Sequence, residues 1–193
     1  MKSLIRIFLF ICIFGIVSAQ KPVQKPAVYK QPNGFVFVPA TPNKPNQPAF
    51  YVMKEPVTVI DFREFINFLY SKARIADANK CMSSVAKEMD LKSKYILLTN
   101  GDAITIYAEY LSEKYSSDKY KVVCSAVNSQ AWKQMRGPAD NQVAKGINPY
   151  GIKFQEKLNE FRINENGKLT AYKDINGYTR GGFRLVLTVT PKP

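Results

Sequence analysis

The chain contains no histidine, and its 193 residues include only three cysteines and one tryptophan. Without histidine there is no Ser-His-Asp triad, no Cys–His dyad and no His-ligated zinc site, the machinery of many secreted hydrolases. No Asn-x-Ser/Thr sequon occurs, so N-glycosylation is not expected. Nor does any stretch match a Walker loop, a Gly-x-Ser-x-Gly elbow or a calcium loop. The carboxylates Glu64, Glu88, Asp90, Asp102, Glu109, Asp140, Glu156 and Glu160 are scattered, and no pair has a spacing that marks a glycosidase. Negative charge is itself scarce, with 15 acids against 28 Lys and Arg and a formal net charge of +13. These absences favour a protein that binds over one that catalyses, with no metal and no cofactor expected.

What is present begins with an address. Lys2 and Arg6 precede an apolar run over residues 7–17, and Val17 and Ala19 occupy the small-residue positions before a cut. This is the layout of a secretory signal peptide, with cleavage placed after Ala19. The run is well short of the ~20 residues that span a bilayer, and no second apolar stretch follows, so no membrane span is expected. Cleavage leaves 26 cations against 15 anions, a net +11, and removes Cys12. The remaining pair, Cys81 and Cys124, is then expected to form one disulfide in an oxidising compartment.

Residues 20–49 hold seven of the twelve prolines, four lysines and no acid. Pro39, Pro42, Pro45 and Pro48 recur at the three-residue repeat of a polyproline II helix, which predicts an extended or disordered arm. Gly34-Phe35-Val36-Phe37-Val38 interrupts that arm and is placed to add to the domain as an edge strand. The domain itself is expected over residues 50–193.

Thr58 and Asp61 make a helix-start signal. Val59, Phe62, Phe65, Ile66, Leu69, Ala73 and Ala76 then recur at three- and four-residue steps, predicting an amphipathic helix of about five turns. A shorter helix is predicted over 79–90, burying Met82, Val85, Ala86 and Met89 and carrying Cys81, and another over 102–115. Residues 95–99 read as a short strand and 119–127 as a central strand bearing Cys124. Residues 161–164 and 168–172 flank the turn Glu165-Asn166-Gly167 as a hairpin, and Asn176-Gly177 is a strong turn signal leading into the last strand. There Phe183, Leu185, Leu187 and Val189 alternate with Arg184, Val186, Thr188 and Thr190, so one face packs and the other is mostly wet. Helices first and hairpins last predict an α+β fold, with two to three N-terminal helices on one face of an antiparallel sheet and an extended Pro-rich N-terminal arm.

The most irregular segment is 136–151, and structureless loops longer than about 12–15 residues inside a domain are often functional. Trp132 stands at its entrance beside Lys133 and Arg136, with Lys145 and Tyr150 inside it. Trp, Tyr and Arg dominate binding hot spots, which makes these residues the candidate binding set. The cations are dispersed, without a run of three or a basic helical face, a pattern of loose attraction to acidic surfaces and not of nucleic-acid reading.

Three segments carry a family resemblance: residues 79–89 around Asn79-Lys80-Cys81-Met82, residues 106–115, and residues 120–127 around Val123-Cys124-Ser125. Together with Asn166-Gly167-Lys168-Leu169-Thr170-Ala171-Tyr172 they resemble the ground-like domain of nematode secreted proteins, which often follows a Pro-rich segment. That family has paired cysteines where this chain has Cys81-Met82, and a later Cys-Lys missing here. The resemblance implies a non-catalytic extracellular-matrix or signalling-type protein. A second resemblance rests on Gln142-Val143-Ala144-Lys145-Gly146, which is similar to the Gln-x-Val-x-Gly loop of cystatin-like inhibitors, with Ala144 at the central Val position. It implies a wedge at Gln142 to Gly146 for a cysteine-protease cleft. The expected partner is therefore an extracellular protein or a polyanionic matrix.

Overall fold

A computed structural model describes residues 29–45, 47–87, 93–136, 148, 150–154, 158–171 and 180–193. The expected signal peptide, the start of the arm, Gln142, Lys145, Gly146 and the Asn176-Gly177 turn lie outside the described residues.

The fold is α+β. Strands β1 (Phe35–Val38) and β2 (Phe50–Met53) form a hairpin, followed by helices α1 (Val59–Ser71), α2 (Ile75–Ser83) and α3 (Asp102–Tyr115). Then come strand β3 (Tyr120–Ala126), helix α4 (Ser129–Arg136), the short strands β4 (Arg162–Ile163) and β5 (Leu169–Thr170), and finally β6 (Leu185–Pro191). The main sheet runs β1-β2-β6-β3 with every pair antiparallel, and β4 and β5 make a separate hairpin closed at Gly167. As expected for the segment that interrupts the arm, β1 is an edge strand of the sheet.

Both faces of the sheet are packed. On one face, Phe62, Phe65 and Leu69 of α1, Cys81 of α2 and Ile104, Tyr107 and Leu111 of α3 cover Phe35, Tyr51, Val122, Cys124, Leu185 and Leu187. Each such large apolar side chain contributes roughly 1.5–3 kcal/mol when fully buried. On the other face, Ala131 and Met135 of α4, with Ile152, cover Val38, Phe50, Val52 and Val186. The outward side of β6 is consequently wet only from Thr188 onward, and Arg184 and Val186 are buried, contrary to the expected half-wet strand.

The first helix opens on the predicted capping box. Thr58 Oγ1 accepts from the Asp61 amide at 3.1 Å, and the Asp61 carboxylate accepts from the Thr58 amide at 3.2 Å. It ends earlier than its apolar pattern suggests, because Ala73 turns left-handed at φ 55°. The Ala73 amide donates to Tyr70 O at 3.0 Å and the Arg74 amide to Leu69 O at 2.9 Å, the paired bonds of a Schellman C-cap. The chain then restarts as α2, which rotates Met82 out to 50% exposure instead of burying it. Residues 95–98 join their neighbours only by isolated bridges, Tyr95 to Thr58 and Leu98 to both Val85 and Gly181.

β3 is an edge strand, not a central one. Two of its outward amides are covered from α3 and the turn behind it: Cys124 N donates to Ser112 Oγ at 2.8 Å, and Val122 N donates to Ser116 Oγ at 3.0 Å. A sheet edge closed in this way offers fewer free groups for pairing with another chain.

The expected disulfide is corrected: Cys81 and Cys124 are both free and buried. Cys81 sits on α2 and Cys124 on β3, where Cys124 lies against Ser112 of α3. Burial pushes each thiol up to about 11.

Candidate functional site

The proline repeat of residues 39–48 does not form a polyproline helix; it is the loop of the β1–β2 hairpin. The Thr41 amide donates to Gln47 O (3.1 Å), Lys44 to Thr41 O (3.2 Å) and Gln47 to Lys44 O (2.9 Å), with Asn43 left-handed at φ 60°. A polyproline II helix has no internal hydrogen bonds, so three such bonds and one left-handed residue mark a different structure.

Helix α4 holds this loop from the side. Asn128 caps the helix by accepting from the Ala131 amide at 2.7 Å, which fixes the direction in which α4 leaves β3. One turn later Gln134, only 8% exposed, donates its amide to both Pro39 O (2.7 Å) and Pro48 O (3.2 Å). A single buried amide thus ties the two feet of the loop together. At the end of α4 the buried Asn148 donates to Met135 O and accepts from the amides of Tyr150 (3.1 Å) and Ile152 (3.0 Å), anchoring Tyr150 beside the helix.

Between these parts lies a cleft of about 460 Å³, within the size range of ligand sites. Pro39, Ala40, Thr41, Pro42, Lys44 and Gln47 form the loop side, and Lys133, Gln134 and Tyr150 the opposite side. Among the described residues, its charged lining residues are both lysines. The Lys133 side chain is 75% exposed and reaches Glu165 at 3.9 Å, a surface pair of little strength.

Of the predicted binding set, Lys133 and Tyr150 meet in this cleft. Trp132 and Arg136 belong to a stack next to it. The Trp132 ring meets Phe154 edge-on at 5.4 Å, Arg162 lies 4.1 Å from its centroid, and Arg136 lies 5.8 Å from both rings. The stack pins α4 to residues 154 and 162, so Trp132 acts here as packing. Gln134 and Asn148 were not flagged by the sequence, because their partners stand on other segments, up to 95 residues away.

Two other polar groupings are structural ties. Arg184, fully buried, binds Glu160 in two places (Nε to Oε2 2.7 Å, Nη2 to Oε1 2.6 Å) and also donates to Lys153 O at 2.9 Å. Glu55 accepts from Lys153 (2.7 Å), from Lys94 and from Tyr95 (2.9 Å). The hydrogen bonds from Lys153 and then Lys94 hold its carboxyl down at about 2, despite the opposing effect of burial. Among the described residues, no group of three or more Cys, Asp or Glu is arranged to hold a metal ion, and no helix is long and apolar enough to cross a membrane. Comparison with family models, curated proteins and solved structures finds no match for the chain.

Proposed function

We propose that this chain is a secreted, non-catalytic binding protein of the extracellular-matrix or signalling type, and that the cleft between the 39–48 loop and α4 is its ligand seat. One observation carries the reading. The proline-rich segment and two residues of the candidate binding set, Lys133 and Tyr150, singled out separately in the sequence, line one cleft, and Gln134 ties both feet of the loop to α4. A loop tied at both feet by a buried amide is held in shape before any ligand arrives, which lowers the ordering cost of binding. The absent histidine, the scattered carboxylates and the ground-like resemblance point the same way.

The test expresses the full chain in secretory cells and measures its retention on extracellular matrix. The chain reaches the medium cleaved after Ala19, and Tyr150→Ala and Gln134→Leu each weaken retention while circular dichroism stays native. Retention of the chain inside cells, or matrix binding equal to wild type in both variants, overturns the proposal.

A further inference from the structure

We infer that the cleft takes an acidic polysaccharide, a chain bearing sulfate or uronate groups, held by Lys44 from the loop and Lys133 from α4. This rests on the proposed reading of the cleft as the binding seat and adds the class of ligand.

Charge gives the first argument. Among the described residues, the charged side chains lining the cleft are two lysines, one on each side, so an anionic ligand meets attraction from both. Glu165 pairs with Lys133 at 3.9 Å across two mostly exposed side chains, so a sulfate displaces it at little cost.

The backbone gives the second argument and separates a glycan from an acidic peptide. Extended peptides bind most readily by adding main-chain hydrogen bonds to a free edge. The loop side of this cleft has almost none to give. Pro39 and Pro42 lack an amide hydrogen, and the amides of Thr41, Lys44 and Gln47 are all spent within the loop. Apart from the Ala40 main chain, what remains are side chains: the flat apolar surfaces of Pro39, Pro42 and Tyr150, the Thr41 hydroxyl and the Gln47 amide. Sugar rings, with apolar C–H faces and hydroxyl rims, match that mixture.

The experiment titrates a heparin-derived hexasaccharide into the full chain by calorimetry. Lys44→Gln and Lys133→Gln should each weaken binding about 3- to 10-fold, and added salt should weaken it further. The double variant Lys80→Gln/Lys192→Gln removes two charges elsewhere, more than either single variant, and it should still stay within about 2-fold of wild type, since distant exposed charges are screened. Equal loss in that control shows that binding follows net charge and overturns the inference, as does no binding by wild type. A poly-glutamate peptide that binds more tightly and loses affinity in the same two lysine variants assigns the cleft to acidic peptides and also overturns it. Matrix retention that depends on Tyr150 but not on the two lysines leaves the binding seat standing while the acidic-glycan inference falls.

Discussion

Replacing Glu160 by leucine leaves the Arg184 guanidinium buried at 0% exposure with no counter-charge. It loses two hydrogen bonds of 2.6 and 2.7 Å and keeps one good bond, to Lys153 O, with longer ones of 3.4 Å to Met53 O and Lys54 O. Breaking a buried pair from one side costs about 3–5 kcal/mol, mostly as the penalty of the stranded charge. Against a total stability of about 5–15 kcal/mol, that brings the domain close to unfolding. Arg184→Met should cost a similar amount, by stranding Glu160. The double variant Arg184→Met/Glu160→Leu strands nothing, so its loss should fall at least ~3 kcal/mol short of the two single losses added together. Urea unfolding followed by Trp132 fluorescence suits the measurement: Arg184 lies 5.2 Å from the Phe154 ring, which itself packs against Trp132. If the double variant loses the full sum, the two side chains are not coupled and the account of this tie is wrong.

Ala73 occupies a left-handed position where glycine is unstrained, so Ala73→Gly should raise the stability by about 1 kcal/mol in thermal unfolding; a decrease would show that the helix end is not held at φ 55°. The Glu55 carboxyl, lowered from 4.5 to about 2, stabilises the fold above pH 4.5, and that contribution is lost as pH falls toward 2. With its lysine partners partly exposed and screened, this amounts to about 1–2 kcal/mol, and Glu55→Gln should remove that part of the acid sensitivity. Buried thiols near 11 do not react with iodoacetamide at pH 8; Cys81 and Cys124 should both be alkylated only in denaturant, and failure of both to react in denaturant without reductant would mean that they are oxidised. Ser112→Ala leaves the Cys124 amide unmatched and should cost about 1–3 kcal/mol in urea unfolding, whereas Ser83→Ala on exposed α2 should cost far less.

Local chemistry was legible in the sequence and distant pairing was not. The capping box at Thr58 and Asp61 and the Asn164–Gly167 turn each depend on residues a few positions apart. The end of α1 was hidden, because the left-handed position holds alanine where glycine would have announced it. The burial of Arg184 was hidden because a charged residue at an outward strand position reads as wet until its partner is known. The proline repeat misled for a related reason: the same spacing serves a polyproline helix or a hairpin loop, and the choice lies with strands on either side of it. The disulfide expectation paired the two cysteines by count and had no measure of where α2 and β3 would place them. For the cleft, the sequence supplied Lys133 and Tyr150, and the tie through Gln134 became visible only once α4 lay beside residues 39 and 48.

The sheet order carries a consequence for synthesis. β6 pairs with β2 on one side and β3 on the other, yet it follows both in the chain. Until Leu185–Pro191 has emerged, the β1–β2 hairpin and β3 have no shared neighbour, and Tyr51, Val52 and Cys124 lack their cross-strand partners Leu187 and Val186. Closing the sheet therefore joins residues more than 130 positions apart, a long-range step that slows folding. A nascent chain lacking β6 exposes two incomplete halves with unpaired edges, the condition in which chaperones and aggregation compete for a polypeptide. A stop codon before residue 185 should thus give a chain that fails to accumulate, however intact its helices and its cleft-forming loop may be in sequence.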